Sequence, residues 1–139
     1  MKDNLSYPNN KPIKVLNPSG TPPPITLVSM APRPDTLEDK TIYIVDVNFQ
    51  LTEPFYEAAV KVFNEKYPGT KWIVKSKVGS FFDDDPELWA EIKQNGHGAI
   101  VGPGHLDTLG PSVINWCTSL EKLGVPAVPL ICAVFPELE

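Results

Sequence analysis

The chain has 139 residues, 42% of them hydrophobic, with 12 Lys and Arg against 17 Asp and Glu and a formal net charge of -5. This is enough apolar content for one domain with a sizeable core. The acidic balance, with no stripe of Lys or Arg to track phosphates, excludes a nucleic-acid partner and does not by itself favour acidic substrates. No apolar run reaches the roughly 18 residues of a membrane helix, and Met1-Lys2-Asp3-Asn4 leads into prolines and asparagines rather than an apolar signal core, so a cytoplasmic protein with no membrane partner is expected.

The first forty residues hold eight of the sixteen prolines, among them Pro22-Pro23-Pro24. They show no helical or strand periodicity, so residues 1–39 are expected to form an extended arm ahead of a domain spanning 40–139. Ile13, Val15, Leu16, Ile25, Leu27, Val28 and Met30 are too apolar for a solvated linker, which predicts an arm wrapped across the domain or across a neighbouring subunit.

From Lys40 the signals alternate. Thr41-Ile42-Tyr43-Ile44-Val45 is a β-branched and aromatic run ending at Asp46-Val47-Asn48, the pattern of a strand buried on both faces. A helix should follow, with Thr52 as cap, Pro54 in its first turn, and Phe55, Ala59, Val62, Phe63 and Tyr67 on its apolar face, until Pro68-Gly69 stops it. Lys71 to Val78 alternates polar and apolar residues like a strand near a sheet edge. Asp85 and Pro86 then open a second helix with Leu88, Trp89 and Ile92 inward, ended by Asn95-Gly96. A third strand runs from Gly98 to Val101, and a third helix from Pro111 to about Leu123 with Val113, Ile114, Cys117 and Leu120 inward. Gly124 is its C-cap, and a fourth strand runs from Ala127 to Val134. Strands joined by crossover helices predict an α/β fold, a single open, mostly parallel four-stranded sheet with flanking helices of the Rossmann-like or flavodoxin-like kind. The fourth strand lacks a covering helix after it, so an open face or edge needs a cover, and an oligomer is expected.

The segment Gly102-Pro103-Gly104-His105-Leu106-Asp107-Thr108-Leu109-Gly110-Pro111 is expected to be a Gly-rich turn at the carboxyl end of the third strand, where α/β proteins bind ligands beside a helix start. It carries His105, Asp107 and Thr108 but no cysteine. Asp46 and Asn48 end the first strand at the same edge. A dinucleotide fingerprint is not read here, because that motif follows the first strand of its unit and needs three glycines with an acidic residue about 20 positions on, whereas this turn follows the third strand. His97 is expected to be a turn residue, and Asp83-Asp84-Asp85 a solvated loop ending in a helix cap rather than a metal cluster; no metal or cofactor is expected. Cys117 and Cys132 lie in apolar stretches and should be small buried hydrophobes, not a disulfide. Trp72, Trp89 and Trp116 should be core or interface residues.

Ala31-Pro32-Arg33-Pro34, Lys40-Thr41-Ile42-Tyr43-Ile44-Val45-Asp46, Asp84-Asp85-Pro86-Glu87-Leu88-Trp89-Ala90-Glu91-Ile92-Lys93 and Gly102-Pro103-Gly104-His105, in that order, resemble the UGSC-type selenoprotein/thiol family related to the substrate-binding component of glycine reductase. The resemblance covers roughly residues 12 to 135. It implies a motif after the third strand of the kind Gly-x-Gly-x-(Sec or Cys)-(Gly or Ser)-(Ser or Thr)-Cys-x-Pro. Thr108 matches its hydroxyl position and Pro111 its proline, whereas the two redox positions fall on Leu106 and Leu109. A leucine can do neither redox nor covalent work. The expected function is therefore non-redox acid/base chemistry, a hydration, elimination or isomerisation of a small organic acid by a lyase- or hydratase-like small subunit of an oligomer. His105 would transfer protons and Asp107 orient it. Asp46, Asn48, Gly102, Gly104, Thr108, Gly110 and Ser112 would bind substrate, helped by the amides of residues 110 to 113. The alternative is a non-catalytic binding or scaffolding subunit that completes the site of a full-length UGSC-type partner.

Overall fold

The computed structural model describes Pro24, Leu27, residues 29–80 and residues 82–132, with residues 106–108 as backbone only. The expectations placed on Ile13, Val15, Leu16, Ile25, Val28, Ala133 and Val134 lie outside the described residues. Residues 29–40 form neither helix nor strand, in keeping with their prolines.

Seven elements follow: β1 (Thr41–Asp46), α1 (Glu53–Lys66), β2 (Lys71–Ser76), α2 (Pro86–Asn95), β3 (Gly98–Gly104), α3 (Leu106–Lys122) and β4 (Ala127–Ile131). The strands form one parallel sheet in the order β2-β1-β3-β4. Right-handed crossovers in that order put α2 and α3 on one face and α1 on the other. The core lies under α2 and α3. There Tyr43, Val45, Ala99, Val101 and Ala127 of the sheet meet Leu88, Trp89 and Ile92 of α2 and Leu109, Val113, Trp116 and Leu120 of α3.

Among the described residues, helix covers the opposite face at one end only. Pairing aligns Val74, Ile44, Ile100 and Val128 in a row across the four strands. On this side α1 packs on β2, with Phe63 stacked on Trp72 at 4.7 Å. At the far end of the row Val128 is 56% exposed. That narrow contact overturns the apolar face expected for α1. Tyr56 is its buried residue, while Phe55, Val62 and Tyr67 are exposed, because one edge strand offers too little surface to cover them. Thr52 occupies the N-cap position but does not cap; its hydroxyl turns back to donate to the Phe49 carbonyl at 2.8 Å.

Asp85 caps α2 as expected, accepting from Leu88 N at 3.1 Å, and also takes Val78 N at 2.8 Å. Strand β2 stops two residues before Val78 because Lys77 turns inward. Its ammonium is buried, donates to the carbonyls of Val78 and Asp83 at 2.8 Å each, and lies 4.9 Å from the Trp116 ring centroid. At the foot of the sheet Glu121 joins three segments. Its carboxylate takes Arg33 Nη1 and Nη2 at 2.9 and 2.7 Å, Ala31 N at 2.5 Å and Ala127 N at 2.8 Å.

Candidate functional site

In this strand order the chain reverses its direction of winding between β1 and β3, and the crevice at their carboxyl ends is where open α/β sheets bind ligands. Two junctions flank it, the β1–α1 loop and the β3–α3 turn.

On the first side, Asp46 is engaged by its own loop. Oδ1 accepts Asn48 N at 2.9 Å and lies 3.3 Å from the Thr52 hydroxyl, and Oδ2 accepts the Ser76 hydroxyl at 3.2 Å. Asn48 adopts φ 59° and its side-chain amide donates to the Lys77 carbonyl, tying this loop to the one after β2. Asparagine tolerates that left-handed backbone. Leu51 does not, yet it adopts φ 65° with its side chain 94% exposed. A branched residue held there stores about 1 to 3 kcal/mol, a feature that gathers at functional loops.

On the second side the structure corrects the expected turn. Strand β3 continues through Gly104 by way of a bulge, in which Val101 to Gly104 spans Pro129 to Ile131. Helix α3 starts at Leu106, five residues ahead of Pro111, and keeps Pro111 inside it. An internal proline removes one ladder bond and costs about 3 kcal/mol. The compensation is an apolar stripe one turn longer than the expected helix, since Leu109 is 4% exposed and continues the row of Val113, Trp116, Cys117 and Leu120. Ile114, expected inward, is 50% exposed because it falls off that stripe.

The glycines of the motif therefore serve packing. Gly102 adopts φ 136°, and a Cβ there would lie 2.4 Å from the Leu130 carbonyl; at Gly104 it would lie 2.9 Å from Val113 Cγ2. Gly110 and Ser112 sit within the first two turns of α3, and around Gly110 there is open space. The amides that lack an intrahelical acceptor belong to the first turn, Leu106 to Thr108, rather than to residues 110 to 113. Asp107 and Thr108 lie in that turn, but their side chains are outside the described atoms.

His105 occupies the N-cap of α3 in extended conformation and makes no side-chain cap hydrogen bond. Half-buried, its ring meets Phe49 edge to face at 4.0 Å, so the two junctions touch across the crevice. A second bridge, invisible to helical periodicity, is Tyr56 of α1, whose buried hydroxyl donates to the Gly102 carbonyl. Burial, then the charge and a hydrogen bond of Asp46, push its phenol well above the ordinary value. The structure thus brings Asp46, Asn48, Gly102, Gly104 and His105 to one edge. It also adds Phe49, Thr52, Tyr56 and Ser76, which line a solvent-open cleft of about 940 Å³ beside α1. Glu53 and Glu57 complete its acidic side, and among the described residues no Lys or Arg lines it.

The remaining candidates are structural. His97 Nδ1 accepts Thr41 N at 3.1 Å. Asp83 accepts Ser80 N at 2.8 Å and Asp84 accepts Trp89 Nε1 at 2.5 Å. Among the described residues no group of three His, Cys, Asp or Glu side chains could hold a metal ion, and no helix is long and apolar enough to cross a membrane. Cys117 is buried, and burial, then the charge of Glu121, pushes its thiol up to about 12. Cys132, expected inside, is exposed just past β4, with its amide on the Gly104 carbonyl at 2.8 Å. The sequence reading missed this thiol because the fourth strand ends earlier than its apolar run.

Comparison with curated proteins and with solved structures returned no match. A sequence model described as the UGSC family matches residues 14–139, nearly the whole chain, and the protein belongs to the UGSC family.

Proposed function

We propose that the chain is the small subunit of an oligomeric, cytoplasmic enzyme that acts on a small organic acid by non-redox acid/base chemistry, as a lyase, hydratase or isomerase. The observation that carries this reading is the position of His105, at the carboxyl end of β3, on the start of α3 and in contact with the β1–α1 loop. An imidazole in that position has the chemistry of a general acid or base. In this reading Asp107 orients the imidazole. The first-turn amides, with Thr108, hold the carboxylate or an enolate oxygen, and the rest of the substrate extends into the cleft beside α1. Within its family the chain is related to the glycine reductase substrate-binding component, with Leu106 and Leu109 standing where the redox pair would be. The buried, protonated Cys117 offers no substitute nucleophile.

The test is turnover of a panel of small 2-hydroxy and 2-enoic acids, followed by His105→Gln. The variant should lose about 10² to 10⁴ in rate with an unchanged melting temperature. A second reading, a non-catalytic subunit completing a full-length UGSC-type partner, is favoured by the apolar side chains of Leu51 and Val78, 94% and 75% exposed on the loops around the site. It predicts that His105→Gln leaves the reconstituted complex within about threefold of its rate, well below a proton-transfer effect, while Leu51→Asp abolishes it. Unchanged rates in both variants would defeat both readings.

A further inference from the structure

We propose that the amino-terminal edge of the sheet binds an amphiphilic anion, a carboxylate or phosphate head on an apolar body of medium length, at a site separate from the His105 crevice. Strand β3 runs the whole way between the two, and its 7 residues set them roughly 20 Å apart. The inference therefore does not rest on the acid/base reading above.

Two cavities of opposite character adjoin at that edge. The first, about 510 Å³, is basic: Arg33, Lys40, Lys93 and His97 line it, and among the described residues no Asp or Glu does. In a chain of net charge -5 that is a local reversal, and the acidic cleft beside α1 lies at the other edge. Glu121 already answers Arg33, accepting from both terminal nitrogens. The side chains of Lys40 and Lys93 make no ion pair or hydrogen bond among the described residues, so their charges stand uncompensated. Lys93 lies in the last turn of α2, where a cation also offsets the helix dipole, but Lys40 belongs to no helix and has no such use. His97 adds a donor. Its Nδ1 accepts Thr41 N at 3.1 Å, so the Nε2 of the ring carries a hydrogen.

The second cavity, about 230 Å³, is apolar, walled by Leu37, Ile42, Trp72, Ile100 and Val128 on the sheet face opposite the core. Arg33, Pro34, His97 and Pro126 line both cavities, so the two form one trough that turns around the start of β3. A trough charged at one end and apolar at the other selects a ligand divided in the same way; neither a bare anion nor a plain hydrocarbon uses both halves. The apolar half admits about eight heavy atoms at roughly 30 Å³ each, the size of a medium acyl chain or one aromatic ring. Trp72 Nε1 is buried with no partner among the described residues. A buried N–H left so is costly, and a ligand oxygen within its reach removes the cost.

The probes are octanoate and octyl phosphate, titrated calorimetrically into the full chain. At least one should bind at a single saturable site, and the tighter of the two identifies the head. Acetate and inorganic phosphate, which lack the body, and octan-1-ol, which lacks the charge, should each bind at least about tenfold more weakly. Lys40→Gln/Lys93→Gln should weaken the tighter probe by about tenfold, the combined worth of two exposed charge pairs. Val128→Asp should weaken it by a similar factor, because it sets a carboxylate against the apolar body. Lys93 and Val128 are exposed and Lys40 is half-buried without a partner, so both variants should melt as wild type does. A readout that needs neither variant is the indole N–H resonance of Trp72, assigned through Trp72→Phe, which should move as the probe saturates. The absence of saturable binding by both probes overturns the proposal, and so does a head or a body alone that binds as tightly as the whole. Binding that the lysine variant leaves unchanged, or that leaves the Trp72 resonance in place, also overturns it, because the probe then sits elsewhere. No turnover is read, so failure here leaves the proposed chemistry standing.

Discussion

Replacing two glycines of the 102–111 segment by alanine separates a ligand turn from a packed strand and helix. At Gly102 an added Cβ would lie 2.4 Å from the Leu130 carbonyl and 3.0 Å from Leu130 Cβ, at φ 136°. The backbone there costs about 1 to 3 kcal/mol for a residue with a side chain. Parting β3 from β4 to admit the methyl adds about 1 to 3 kcal/mol more. The sum, roughly 4 kcal/mol, is a large share of the 5 to 15 kcal/mol that holds a domain together. At about 4 °C per kcal/mol for this size it lowers the melting temperature by roughly 15 °C. Gly110 is the control. It lies within α3 with no atom of another segment inside 4 Å of an added Cβ, so a methyl there meets only the ring of Pro111 beside it; that contact offsets the helix-propensity gain and leaves Gly110→Ala within about 1 kcal/mol of neutral. Urea unfolding of the three proteins measures both effects. If Gly110→Ala destabilises while Gly102→Ala is neutral, α3 does not begin at Leu106 and the segment is the open turn that its composition suggests.

Glu121→Gln should cost about 2 kcal/mol, because one amide oxygen cannot serve Arg33 and two backbone amides that a carboxylate satisfies together. Burial raises the proton affinity of this carboxyl, but the hydrogen bonds from Arg33, Ala127 and Ala31 and the Arg33 charge outweigh it and leave it below the ordinary value. Its stabilisation is thus complete above the unfolded value of about 4.3 and lost as pH falls through the folded one. Acid unfolding of wild type should therefore be steeper than that of Glu121→Gln. Tyr56 behaves oppositely at high pH. The unfolded phenol ionises near 10 while the folded one keeps its proton, so stability falls as pH rises above about 10, and Tyr56→Phe should flatten that limb in an alkaline denaturation series. Of the two thiols, Cys132 should react with a disulfide reagent in the native protein and Cys117 only after unfolding; equal reactivity would contradict the burial of Cys117.

What could be read without coordinates is what short-range chemistry decides. The apolar runs of β1 and β3, the Asp85-Pro86 start of α2, the stop at Gly96 and the parallel α/β class all follow from period, cap and turn residues within a few positions of one another. The start of α3 was misread because Pro111 is locally a helix opener. Only the core that Leu109 joins offsets a proline six residues inside a helix. The same distinction holds at the site. That Asp46, Asn48 and the His105 segment share an edge follows from their places after parallel strands. That Asp46 meets Ser76, that Tyr56 rather than Phe55 reaches inward, and that Gly102 is a glycine because β4 lies against it depend on contacts dozens of residues apart in the chain. Strand order settles such contacts, and strand order comes from burying whole faces together, a free energy that no short window of residues contains.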